Sequence, residues 1–157
     1  MPDHNPEADS PPEPGALEDV LSHLQCLLVA RRTRANPEGV TWLQYDALEL
    51  LRIRGVMTPS ALSVALGVSR PTTSKALRVL KDLSLIDQRA TTDDHRELTT
   101  SLSTQGRAFL ARVADQRRDN ALIAASALST EEHATFVDLC AKVVAALESD
   151  MPDTSLR

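Results

Sequence analysis

Seven side chains in this 157-residue chain have the chemistry to grip a polyanion: Ser69, Arg70, Thr72, Ser74, Lys75, Arg78 and, further on, Arg96. Short hydroxyl residues near a helix start can donate to phosphate oxygens or read base edges at close range. Arg and Lys supply phosphate contacts or bidentate readout of guanine. Six of the seven fall between Ser69 and Arg78, and spacing separates them from their neighbours. Thr73, Ala76 or Leu77, Leu80 and Leu83 recur at the three-to-four interval of an inward stripe, so the polar set is left pointing outward. Any exposed helix face can carry such residues. The flanking elements give this one its meaning.

Upstream, Thr58-Pro59 is a helix start, a capping hydroxyl followed by a proline whose missing N–H does no harm in the first turn. Ala61, Leu62, Ala65 and Leu66 make a second inward stripe. Gly67 tolerates the left-handed conformation that stops a helix. Val68 fills the inside of the turn, Ser69 caps the next helix, and Pro71 is tolerated in its first turn. A helix pair joined by such a turn presents its second helix to the DNA major groove. Downstream, Leu85–Arg89 and Leu98–Leu102 read as two strands, the second with Leu98 and Leu102 on one face and Thr100 between them. The connecting ATTDDHRE has no apolar residue after Ala90, so its tip stands in solvent. Arg96 there can enter a narrow minor groove, which attracts arginine electrostatically.

At these residues the chain resembles the MarR family, the multiple-antibiotic-resistance type of winged helix-turn-helix transcriptional regulator. The family pattern sets Asp-x-Arg at the wing tip, then a strand ending Leu-Ser/Thr-x-x-Gly. Here it reads Asp94-His95-Arg96, ELTTS, then Leu102-Ser103-Thr104-Gln105-Gly106 without a gap. Residues Val68 to Lys75 and Thr41 to Leu48 are similar to the family's recognition helix and helix-2 opening. The resemblance covers roughly residues 17–150, and the link RRTRANPEG is short for the family. It implies a mainly α fold with a small β-wing, in which a winged helix-turn-helix core at about 41–106 sits with dimerisation helices at about 17–35 and 104–150. It further implies an obligate homodimer on double-stranded DNA with a pseudo-palindromic operator, and often a small ligand or oxidant that releases it.

The ends of the chain fit that plan. Residues 1–16 hold five prolines and no large apolar residue after Met1, the composition of a disordered acidic tail. Leu17, Val20, Leu21, Leu24, Leu27 or Leu28 keep helical spacing to about Arg34, and Asn36-Pro37-Glu38-Gly39 ends that helix. A helix over Thr41–Arg54 turns Leu43, Ala47, Leu48, Leu50 and Leu51 inward; Trp42 and Tyr45 near its start are core or staple residues sooner than a stacking platform. From Thr104 two long helices follow. The first runs to about Ala127 with Phe109, Val113, Asn120 or Ala121, Ala124 and Leu128 on one side; the second opens on Ser129-Thr130-Glu131-Glu132, the spacing of a capping box. Its Phe136 or Val137, Cys140, Val143 or Val144 and Leu147 form a stripe that a monomer would expose and a second copy would cover.

A net charge of −5 is unusual for a polyanion binder, but it is unevenly spread. Residues 1–19 carry six acidic side chains and no Lys or Arg, so −5 less −6 leaves +1 for the rest. Residues 69–96 hold six basic side chains against four acidic ones, a local excess that a dimer presents twice. There is no apolar run of about 18 residues and no basic-then-apolar leader, which points to a cytoplasmic protein.

Catalytic chemistry finds no foothold, so the chain reads as no enzyme. The glycines, at 15, 39, 55, 67 and 106, make no phosphate loop, and GxSxG, HExxH and CxxC are absent. Histidines 4, 23, 95 and 133 are scattered, so no metal site and no cofactor is read here. Cys26 resembles the reactive cysteine that some family members carry on their first helix, with packing as a small apolar residue the commoner fate of such a thiol. Cys140 reads as structural. The function read from the sequence is a homodimeric, sequence-specific DNA-binding repressor released by a small aromatic or amphipathic effector, with no membrane partner. Two alternatives stand beside it: a winged-helix protein-interaction module without DNA binding, and a thiol-based oxidant sensor of the same fold that uses Cys26.

Overall fold

A computed structural model describes residues 15–33, 39–90 and 98–151. The chain divides into two compact units, residues 1–36 and 37–157. The first contributes α1 (Gly15–Thr33), with Glu18 in its first turn and Arg31 and Arg32 in its last, where each complements the helix dipole. The helix starts two residues before the expected Leu17, because Ala16 is a strong helix former and extends the first turn; residues 1–14 of the expected acidic tail lie outside the described residues. No residue of α1 is buried.

The second unit runs α2 (Trp42–Arg54), α3 (Pro59–Leu66), α4 (Arg70–Asp82), β1 (Ile86–Ala90), β2 (Leu98–Leu102), α5 (Thr104–Arg112), α6 (Asp115–Ser126) and α7 (Thr130–Asp150). Its core joins Ala47, Leu48 and Leu51 of α2, Leu62 of α3, Leu77 and Leu80 of α4, Leu85 and Ile86, Leu102, and Phe109 and Leu110 of α5. Trp42 and Tyr45 meet edge to face, 5.6 Å between ring centroids, and Tyr45 packs against that core as a staple.

Most helix ends are where capping chemistry sets them. Thr41, Thr58, Ser69, Ser103 and Ser129 each accept a backbone N–H three residues on. Thr41 with Gln44 and Ser129 with Glu132 complete capping boxes. The Ser129 N–H, bonded to the Glu132 carboxylate at 2.8 Å, holds that carboxyl below its usual range.

Four expectations are corrected. The helix expected from Thr104 to Ala127 breaks at Val113-Ala114, since Ala114 is fully buried and Asp115 starts α6 where an acidic side chain favours a helix N-terminus. On α3 the buried pair is Leu62 and Ser63; Ala61 is exposed, while Ala65 and Leu66 are partly covered. Ser63 can go inside because its hydroxyl donates to the Val68 carbonyl at 2.7 Å. Leu83 is exposed, because α4 ends there and the chain turns to send Leu85 inward instead. Leu98 shares the face of Thr100 and Leu102 but is exposed, because burial fades as the ribbon leaves the core.

The strands pair antiparallel in the register Ile86 with Leu102, Gln88 with Thr100 and Ala90 with Leu98. Met57 bridges the other edge of β2, exchanging backbone bonds of 2.7 and 2.9 Å with Thr100. Thr100 is thereby fully buried with its hydroxyl accepting from the Gln88 amide. One carboxylate ties α2 to α6: Glu49 receives Arg117, Arg52 at 2.7 Å and the Tyr45 phenol at 3.2 Å. Arg54 of α2 likewise pairs with Glu148 near the end of α7.

Candidate nucleic-acid interface

The buried face of α4 fixes what the opposite face can do. Thr73, Ala76, Leu77 and Leu80 are buried, and Thr73 satisfies its hydroxyl on the Ser69 carbonyl at 3.2 Å. At about 100° per residue the opposite side is centred on positions 71, 75 and 78. All five expected side chains are exposed, Ser74, Lys75 and Arg78 on that side and Arg70 and Thr72 in the first turn, nearer the lines of Leu77 and Ala76. Ser69 is exposed too, but its hydroxyl is partly engaged. It accepts the Thr72 N–H at 3.4 Å and lies 2.9 Å from the Thr72 hydroxyl. Thr72 therefore reaches outward from a side chain already oriented by the cap.

Arg96 lies outside the described residues, together with Asp94 and His95. Pro71 is exposed between Arg70 and Thr72, and Lys81 and Arg89 add two basic groups on the same helix and on β1. The count of local charge includes those two, but only the strand register shows Arg89 on the exposed stem of the ribbon. The α3–α4 turn is rigid: Gly67 sits at φ 65°, and its N–H and that of Val68 close back on α3 at Ser63 and Val64. A rigid turn, a polar outward helix and a two-stranded ribbon directly after it are the parts of a winged helix-turn-helix.

A sequence profile of the MarR family matches residues 38–97, which span α2 to β1 and stop just before β2. An uncharacterised HTH-type transcriptional regulator of Mycobacterium leprae (strain TN) is 31% identical over 102 residues, covering 64% of this chain and 71% of that protein. The chain belongs to the MarR family. It is thus a transcriptional regulator with a DNA-binding winged helix. Among solved structures, RV1404 of Mycobacterium tuberculosis is similar at a TM-score of 0.62 and 25% identity, over 88% of this chain and 97% of that one. NadR, solved in complex with 4-hydroxyphenylacetate, has a like fold at a TM-score of 0.64 and 18% identity, over 91% and 97%.

The two cysteines of this MarR-family chain are free and exposed in the single chain, Cys26 on α1 and Cys140 on α7. Neither packs as a buried apolar residue there, because neither helix has a buried position. Among the described residues no three His, Cys, Asp or Glu side chains converge on a metal-sized site, and no helix is long and apolar enough to cross a membrane.

Proposed function

We propose that the protein is a homodimeric, sequence-specific repressor that binds a pseudo-palindromic operator through α4 and is released by a small aromatic ligand. The observation that carries this reading is the exposed polar surface of α4, where Ser74, Lys75 and Arg78 stand away from a fully packed stripe and Arg70 and Thr72 stand exposed in the first turn. Ser69 belongs to the interface as the cap that orients Thr72, and Arg96 as the arginine at the wing tip. Dimerisation is supported by apolar side chains left exposed on α1 and α7, among them Leu21, Leu24, Phe136 and Val144. The effector class is suggested by NadR, whose bound ligand is a small aromatic acid.

Selection of bound sequences from random duplex tests the reading. Two recognition helices related by a two-fold axis enter successive major grooves, so half-site centres are expected about one helical turn apart, ~34–36 Å. Lys75→Ala is expected to weaken binding evenly across sequences and to flatten its salt dependence, whereas Arg70→Ala or Thr72→Ala changes the selected sequence. Equal affinity for the best selected site and for random duplex at moderate salt would sink the repressor reading. It would favour the protein-interaction module instead.

A further inference from the structure

Three segments meet where the recognition helix hands over to the ribbon. After Leu83 the chain places Ser84 at φ 58°, a left-handed conformation unusual for a residue with a side chain. There the Ser84 N–H reaches the Lys81 carbonyl and the Leu85 N–H reaches that of Leu80, both at 2.9 Å. This double closure terminates α4 and aims β1. The Ser84 carbonyl, turned away from the helix, accepts the hydroxyl of Ser103 at 2.6 Å. The same Ser103 oxygen accepts the Gly106 N–H at 2.9 Å, and the Ser103 N–H donates to the Leu85 carbonyl at 3.2 Å.

Position 106 admits nothing larger than glycine. A Cβ there would lie 2.0 Å from the Leu85 carbonyl oxygen, a backbone atom that cannot swing aside. Ser103 itself is buried, so water does not compete for its two bonds. One hydroxyl thus joins the end of α4, the end of β2 and the first turn of α5.

We propose that Ser103, seated by Gly106, is a positioning residue for DNA binding. It fixes the angle between α4 and the β1–β2 ribbon so that helix and wing engage one duplex together. A five-residue strand extends about 17 Å from its base. A tilt of about 10° there would displace the far end by about 3 Å, the length of a hydrogen bond. A clasp at the base therefore decides whether the wing arrives in register or must be reordered on binding. The inference rests on the reading of the ribbon as a second DNA contact.

Footprinting of the full-length protein on its best selected duplex separates the two contacts. Dimethyl sulfate reports guanine N7 in the major groove under α4, and hydroxyl radicals report the sugars flanking it under the wing. Ser103→Ala is expected to keep the N7 protection, lose the flanking protection and weaken binding about tenfold. Ser103→Thr, which keeps the hydroxyl, restores both. Ser84→Gly, which relieves the left-handed residue and leaves its carbonyl, is added to Ser103→Ala to recover stability. The flanking protection is expected to stay lost in that double variant. Its return with stability, or its survival in Ser103→Ala alone, would overturn the proposal. Absence of flanking protection in the unmodified protein would instead refute the second DNA contact and, with it, the proposal.

Discussion

Tyr45 is the only tyrosine in the chain, so its ionisation can be followed without interference. Burial raises its pKa first, and the adjacent Glu49 raises it further by charge and by accepting its hydrogen bond, against a lowering influence from Arg117. Because the folded-state pKa lies above the unfolded one, this phenol contributes stability that is complete below about pH 10 and is lost as pH rises through the folded value. Phenolate absorbance is expected to appear at higher pH in the folded protein than in urea. Glu49→Gln should bring it part of the way back, and Arg117→Ala should move it further up. A titration unchanged by both variants would mean that Glu49 does not bridge α2 and α6 in solution. At this scale the sequence is legible for residues whose type matches their surroundings and opaque for those that satisfy a polar group inside. Arg70, Thr72, Ser74, Lys75 and Arg78 stand where helical spacing sets them. Ser63 and Gln44 are absent from the inward sets expected of their helices, yet both are buried, Ser63 satisfied by the Val68 carbonyl and Gln44 by the Thr41 N–H.

Among the elements, starts are more legible than ends. Thr58-Pro59, Ser69 and the Ser129–Glu132 pair announce their helices because a cap is a local bond between residues three apart. The end of α4 is not announced: no glycine or proline stands between Leu77 and Thr100, and Ser84 takes the left-handed position itself. The same reasoning explains why Leu83 and the first residue of β1 are misplaced from sequence, each by the geometry of that one turn. A non-glycine residue in this conformation costs about 1–2 kcal/mol. Glycine removes that strain but adds about 0.5–1 kcal/mol of unfolded-state entropy. Ser84→Gly is therefore expected to raise stability by roughly 0.5–1 kcal/mol, a Tm increase of about 2–4 °C per kcal/mol for a chain of this size. Calorimetry of the single variant checks it; a lower Tm would show that the Ser84 side chain makes a compensating contact.

For the molecule as a whole, composition misleads until it is resolved along the chain. The net charge of −5 reflects residues 1–19, while the stretch from Ser69 to Arg96 that we propose for DNA contact is locally basic. The larger uncertainty for a sequence reader is what covers the terminal helices, since amphipathic spacing shows that a face is apolar but not what meets it. In the single chain neither α1 nor α7 has a buried residue, although α1 carries Leu17, Val20, Leu21, Leu24, Leu27, Leu28 and Val29. On α7, Phe136, Val137, Leu139, Val143, Val144 and Leu147 are similarly exposed. Faces of this size are unusual on a monomer and suit an isologous contact between two copies. If α7 is part of that contact, Phe136→Asp or Val144→Asp places an unpaired carboxylate inside it, at a cost of about 3–5 kcal/mol. Dimerisation and operator binding are then expected to fail together, because one winged helix alone keeps only half of the phosphate and base contacts. Sedimentation equilibrium and DNA titration of the same samples decide the matter. A folded monomeric variant that holds the full operator as tightly as the unmodified protein would break the link between the terminal helices and DNA binding.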